Sequence, residues 1–295
     1  MSVEIRCVVQ GADILGETPV WCDRTKRLWW VDVRRPAVQS WDPATNRHAA
    51  VRLPADLLVG SICLREQGGL VMGTNQGIWF FDPESGKPAE FLVNPEADKP
   101  VNRLNDGKCD RRGRFWVGSM SDARDGSKAG TLYRLGADRR IEPMLSDFVL
   151  PNSLSWSPDD RTMYFADTHH QVIWAFDFDV DDGAISNRRV FKDWSHQKGR
   201  PDGSAVDAEG YLWNCMVLTG ELVRLAPDGE VDRVIRMPVT NPTCPAFGGE
   251  RLDTLYVTSH SQRLAPEALA AEPYAGGVFA IDVGVRGLPE PRYRG

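Results

Sequence analysis

The chain lacks several features that would assign it to common functional classes. No run among its 295 residues approaches the roughly 18 apolar residues of a membrane-spanning helix. The opening MSVEIRCVVQGADILGE has no basic stretch followed by an apolar core, so no signal peptide is expected and a cytoplasmic location is. Positive charge is not in excess: the formal net charge is −6, which argues against a nucleic-acid footprint. The six cysteines (7, 22, 63, 109, 215 and 244) form no C-x-x-C pair. Zinc–thiolate chemistry therefore has no support, and reduced thiols acting as small buried hydrophobes are expected. There is no G-x-S-x-G elbow, no phosphate-binding G-x-x-x-x-G-K-[ST] and no dinucleotide fingerprint. The five histidines (48, 169, 170, 196 and 260) include no H-x-H or H-E-x-x-H. No linker pools the prolines and glycines, so residues 1–295 read as one domain. Helical periodicity is absent apart from a short candidate at 264–272 (LAPEALAAE).

What is present is a long repeat. Short aromatic-rich strands begin at Leu28 (LWWVD), Leu70 (LVMG), Phe115 (FWVG), Met163 (MYFAD), Leu212 (LWNC) and Leu255 (LYVT), in steps of 42, 45, 48, 49 and 43 residues. Each is followed by a second strand that runs into a turn, as in VQSWDPATN at 38–46, IWFFDPESG at 78–86 and LVRLAPDGE at 222–230. A period of this size with strands inside each unit predicts an all-β, six-bladed β-propeller with four-stranded blades. The last unit runs out one strand short, and Val3–Val9 (VEIRCVV) is a spare strand. It is expected to complete the last blade, closing the ring and removing an exposed edge. Trp29, Trp79, Trp116, Tyr164, Trp174, Trp213 and Tyr256 are expected to pack between blades.

Equivalent positions of a propeller face one axis. The residue 10 or 11 before each aromatic strand is Glu17, Gly60, Asn105, Asn152, Asp202 or Cys244. Taken singly, Asp and Asn at such places cap turns. Taken at one register, two carboxylates and amide oxygens suit a hard divalent cation, and zinc accepts such ligands too. Without a cation the two carboxylates would repel, raising a pKa. His169 and His170 are expected in a loop at the rim, and Asp181–Asp182–Gly183 in a hairpin turn rather than a calcium loop.

At these residues the chain resembles the gluconolactonase/regucalcin (senescence marker protein) family. The resemblance lies in LGETPVW at 15–21, NRLNDGKCD at 102–110, GRFWVGSM at 113–120, SWSPDDRTMYFAD at 155–167, RPDGSAVDAEGYLW at 200–213 and FGGERLDTLYVTS at 247–259, nearly the full chain. It implies one divalent cation in the axial channel, calcium or zinc first and magnesium, manganese or iron otherwise, held by Glu17, Asn152 and Asp202. It also implies substrate contacts from Arg103 and Asn105, with Asp106 beside them and Asp122 near a further acidic contact. Ser153 stands where many members carry glycine, and Ser204 follows the Asp-Gly of the fifth motif. The implied activity is hydrolysis of a sugar lactone to the aldonic acid, with no nucleic-acid or membrane partner. The cation would polarise the carbonyl and Asp202 would act as general base. Two other readings stand beside it: an organophosphate or other ester hydrolase on the same fold, and a non-catalytic calcium-binding propeller. The loops 121–130, 195–200 and 260–276 are expected to set selectivity.

Overall fold

The computed structural model describes residues 3–295. Six four-stranded antiparallel sheets follow one another along the chain. Strand β1 (Ile5–Val9) stands apart from the first of them. Blade one is β2 (Gly16–Cys22), β3 (Arg27–Asp32), β4 (Ala37–Asp42) and β5 (Arg47–Arg52). Blade two is β6 (Val59–Leu64), β7 (Leu70–Thr74), β8 (Gly77–Asp82) and β9 (Lys87–Val93). Blade three is β10 (Asn102–Cys109), β11 (Phe115–Ser121), β12 (Gly130–Leu135) and β13 (Ile141–Phe148). Blade four is β14 (Pro151–Trp156), β15 (Thr162–Asp167), β16 (Val172–Phe178) and β17 (Ile185–Asp193). Blade five is β18 (Arg200–Val206), β19 (Leu212–Val217), β20 (Glu221–Leu225) and β21 (Val231–Arg236). Blade six is β22 (Pro242–Gly248), β23 (Thr254–Ser259) and β24 (Val278–Asp282), completed by β1, which pairs with β24 from Ile5↔Ile281 to Val9↔Val278. The ring is thus closed by the N-terminal strand. A single helix, α1 (Pro266–Ala271), interrupts blade six inside the 264–272 segment.

The segments that lead into the aromatic strands are themselves strands. The aromatic strand is second in its blade, and the preceding Pro- and Gly-containing segment is the innermost. These inner strands are almost wholly buried, with neighbours on both faces. They therefore show no polar–apolar alternation, the signal by which a half-buried strand is recognised.

Burial explains the ring. Six apolar clusters each join one pair of adjacent blades: Val20 and Trp29 with Ile62 and Met72, Phe80 with Val117, Trp116 with Phe165, Tyr164 with Leu212, Trp213 with Phe279, and Trp30 with Tyr256. Trp29, Trp116, Tyr164, Trp213 and Tyr256 are buried as expected, whereas Trp79 and Trp174 are partly buried beside their clusters. All six cysteines are free thiols. A blade presents apolar side chains on both faces and finds a partner for each only when the circle closes.

The segment after β24 forms a strap. Its backbone is tied to the turns between the first and second strands of four blades: Ala208 N–H to Arg286 O (2.8 Å), Gly287 N–H to Leu252 O (2.8 Å), Tyr293 N–H to Leu64 O (2.8 Å) and Arg294 N–H to Gly113 O (3.1 Å). Tyr293 is fully buried and donates its hydroxyl to Gly136 O. Those turns lie at the end of the blades opposite the starts of the inner strands. The strap therefore spans one end of the axial channel and leaves the other for a site.

Candidate functional site

Each inner strand carries a β-bulge at the shared register. Pairing with the second strand is interrupted between Glu17 and Val20, Val59 and Ser61, Leu104 and Gly107, Asn152 and Ser155, Pro201 and Ser204, and Pro242 and Pro245. A bulge re-aims the side chain next to it, which suits a position that must look along a channel rather than into an interface. The bend needs unusual backbone: Thr18, just after Glu17, has φ 44°, and Ser153, just after Asn152, has φ 63°. Serine is held in that region because its Oγ donates to Asp202 O (2.5 Å) and accepts from Asn214 Nδ2 (3.0 Å). At the fifth strand the equivalent residue is Gly203, where an added Cβ would lie 2.4 Å from the Cys244 sulfur.

Four of the six register positions, Glu17, Asn105, Asn152 and Asp202, line one cavity of about 300 Å³ together with Arg103. That volume lies at the low end of the roughly 300–1,000 Å³ range of small-molecule sites. Gly60 and Cys244 are not on its wall. Asp106 is not on the wall either. It is buried, and its Oδ2 accepts from Leu154 N–H at 3.1 Å. Asp122 accepts Arg103 Nε (2.9 Å) and both terminal nitrogens of Arg34 (2.7 and 2.5 Å). His169 reaches the rim, while His170 Nδ1 meets Asp167 Oδ2 at 2.8 Å. The Asp181–Gly183 segment is a hairpin turn.

A directed chain of hydrogen bonds sets the two asparagines. Arg103 Nη1 donates to Asn105 Oδ1 (2.7 Å), so Asn105 must present Nδ2 to Asn152 Oδ1 (3.1 Å) and Pro151 O (2.8 Å). Asn152 Nδ2 donates to Thr168 Oγ1 (2.7 Å), which donates to Pro201 O (2.6 Å). A guanidinium only donates, and this polarity propagates to orient the Asn152 carbonyl.

The carboxylates are poised differently. Glu17 is held well above the ordinary carboxylate range, by burial first and then by the charges of Asp202 and Asp106. Asp202 is likewise raised, by burial and then by Asp106. The hydrogen bond that Glu17 accepts is a long one from Thr18 N–H, 3.3 Å. No three His, Cys, Asp or Glu side chains gather as a metal-binding cluster among the described residues. The set in the cavity is two carboxylates and one amide oxygen. A half-buried and a buried carboxylate that repel each other, beside an oriented carbonyl, fit a hard divalent cation, which would reverse the repulsion.

A stability prediction follows. With folded pKa values raised, the folded state holds more protons than the unfolded state once pH exceeds about 4, so stability falls as pH rises from there through the raised values. The metal-free protein is expected to lose more Tm across that range than Glu17→Gln does. A divalent cation at 100 times its Kd should restore about 2.7 kcal/mol to the parent. Thermal melts of both proteins with and without calcium or zinc check this. Equal pH slopes would contradict it.

Residues on the 121–130 and 260–276 loops complete the cavity: Ser121, Arg124, Asp125, Gly126, Ser127, His260, Gln262 and Arg263. Arg200 joins them from the start of β18. None was identifiable by register, because these loops lie outside the repeat.

Comparison with known proteins agrees with this fold. Residues 15–261 match the model of the SMP-30/Gluconolactonase/LRE-like region. The chain is 37% identical to the 6-deoxy-6-sulfogluconolactonase of Pseudomonas putida over 100% of both chains. It is 35% identical to regucalcin of Sus scrofa, covering 100% of this chain and 99% of the relative. Among solved structures, a calcium-binding regucalcin of Agrobacterium tumefaciens superposes with a TM-score of 0.94 at 28% identity, over 100% of this chain and 98% of that one.

Proposed function

Because this chain belongs to the SMP-30/gluconolactonase/regucalcin family of propellers, we propose that it hydrolyses a sugar lactone to the aldonic acid. The observation that carries the reading is the convergence of Glu17, Asn152 and Asp202, from blades one, four and five, on one small cavity. Glu17, Asn152 and Asp202 would hold a divalent cation, calcium or zinc first. When bound, the cation supplies a Lewis acid for the lactone carbonyl.

The chain's own residues account for the remaining steps. The Asp202 carboxylate, buried on the cavity wall, takes a proton from the attacking water. Hydroxide adds to the acyl carbon, the bond to the ring oxygen breaks, and the proton passes from Asp202 to that oxygen. Arg103 and Asn105, fixed by the chain of hydrogen bonds from Asp122 to Pro201, hold sugar hydroxyls against the wall. Polar groups fixed in this way cost little reorganisation during the reaction.

The test is acid release from a panel of pentono- and hexonolactones in a pH-stat, after chelation and after re-addition of single cations. Turnover is expected to be lost on chelation and restored by one or two of calcium, zinc, magnesium, manganese and iron. A phosphotriester run in parallel separates the ester-hydrolase alternative. Silence on every lactone with cation bound favours the non-catalytic propeller.

A further inference from the structure

The cavity is electrically divided. Its wall carries the carboxylates of Glu17 and Asp202, whereas its rim carries guanidiniums. Asp122 is shared between Arg34 and Arg103 and makes no ion pair with Arg124. The Arg124 guanidinium makes one hydrogen bond, Nη2 to Gln262 Oε1 at 3.3 Å, to a neutral amide. Arg263 has no ion pair among the described residues, and Asp125, the rim carboxylate, accepts from Ser127 N–H at 2.9 Å. Although Arg124 is exposed to solvent, partial desolvation and the like charges of Arg34, Arg103 and Arg263 push it down to about 10. His260, on the same wall, is pushed down to about 4 by burial and by Arg124 and Arg263, so it is neutral near pH 7. Its Nδ1 is buried without a hydrogen-bond partner.

Two solvent-exposed arginines without an ion pair, lining the same cavity as a neutral imidazole, leave a place for an anion. A neutral aldonolactone offers only hydroxyls and cannot supply it. We propose that Arg124, Arg263 and His260 form a subsite for a fixed tetrahedral anion, a sulfonate or phosphate, carried at the end of the lactone remote from its carbonyl. The subsite rests on the lactonase reading for its substrate. Three or more oxygens on one centre accept from two guanidinium forks and an imidazole N–H together, which a single hydroxyl cannot do. The loops that carry Arg124 and Arg263 come from blades three and six and meet where Arg124 bonds Gln262, so the subsite exists only in the closed ring.

The experiment compares kcat/KM for gluconolactone, its 6-phosphate and its 6-deoxy-6-sulfonate in the cation-loaded protein at low salt. One anionic lactone is expected to exceed the neutral one by about tenfold or more, and the two anionic arms show which anion fits. In Arg124→Ala, Arg263→Ala and the double variant, the anionic-to-neutral ratio should fall by roughly 10- to 100-fold, the range of lost charge-assisted hydrogen bonds. Added salt should shrink the ratio in the parent. Equal kcat/KM for all three lactones, or variants that leave the ratio unchanged, would overturn the subsite. Calorimetric binding of the open-chain 6-phosphogluconate and 6-sulfogluconate separates the two hypotheses. If no lactone turns over, the lactonase reading fails, and weaker binding to the variants still supports the subsite whereas unchanged binding overturns it.

Discussion

Asp202→Asn is expected to lower kcat/KM for lactone hydrolysis by about 10²–10⁴-fold, the range for loss of a positioned general base. Asparagine keeps the size of the side chain and an oxygen toward the cavity. The backbone at this position is also secured independently, since Asp202 O accepts from Ser153 Oγ (2.5 Å) and Asn214 Nδ2 (3.1 Å). Folding should therefore survive, and the loss would report on charge and basicity. The parent's rate should climb with pH through the pKa that Asp202 takes beside the bound cation, and the variant should lack this limb. Steady-state kinetics across pH at saturating cation, with cation affinity measured on the same samples, separates base from ligand. A near-parental rate with cation bound would remove Asp202 from the role.

The second large effect is structural. Trp213→Ala should cost about 3–5 kcal/mol, as for a fully buried large aromatic. Trp213 has no exposed surface and packs in the cluster that joins blades five and six. Its Nε1 also donates to Asp207 Oδ2 at 2.9 Å, and the same oxygen accepts Arg224 Nε (2.9 Å) and Nη2 (2.7 Å). Truncation opens a cavity and leaves the carboxylate short of a donor. Trp213→Phe retains most of the packing and should recover more than half of the loss. Urea midpoints measure both, and a cost below about 1 kcal/mol for the alanine variant would contradict the inter-blade role.

That carboxylate marks a limit on what spacing alone conveys. Asp110 accepts from Arg112 N–H, Arg114 N–H and Trp116 Nε1, and Asp207 accepts from Glu209 N–H, Tyr211 N–H and Trp213 Nε1, at identical offsets in blades three and five. CDRRGRFW and VDAEGYLW display the motif in one dimension. The tryptophans were identified as core, but nothing in the spacing singled out their acidic partners. The innermost strands carry no strand signal in the sequence, because a strand buried on both faces loses its alternation.

The repeat alone determined the number of blades, the closing role of the N-terminal strand and the common register of Glu17, Asn105, Asn152 and Asp202. These follow from periodic strand and turn chemistry, which each unit carries within its own forty-odd residues. Tertiary structure alone decided that Gly60 and Cys244 stay off the cavity wall, that the segment after β24 straps one end of the channel, and that guanidiniums crowd the other. Those outcomes depend on contacts across 88 residues for Arg34 with Asp122 and 138 for Arg124 with Gln262. Charge and burial act through space, and the distances that govern them exist only after the ring has closed.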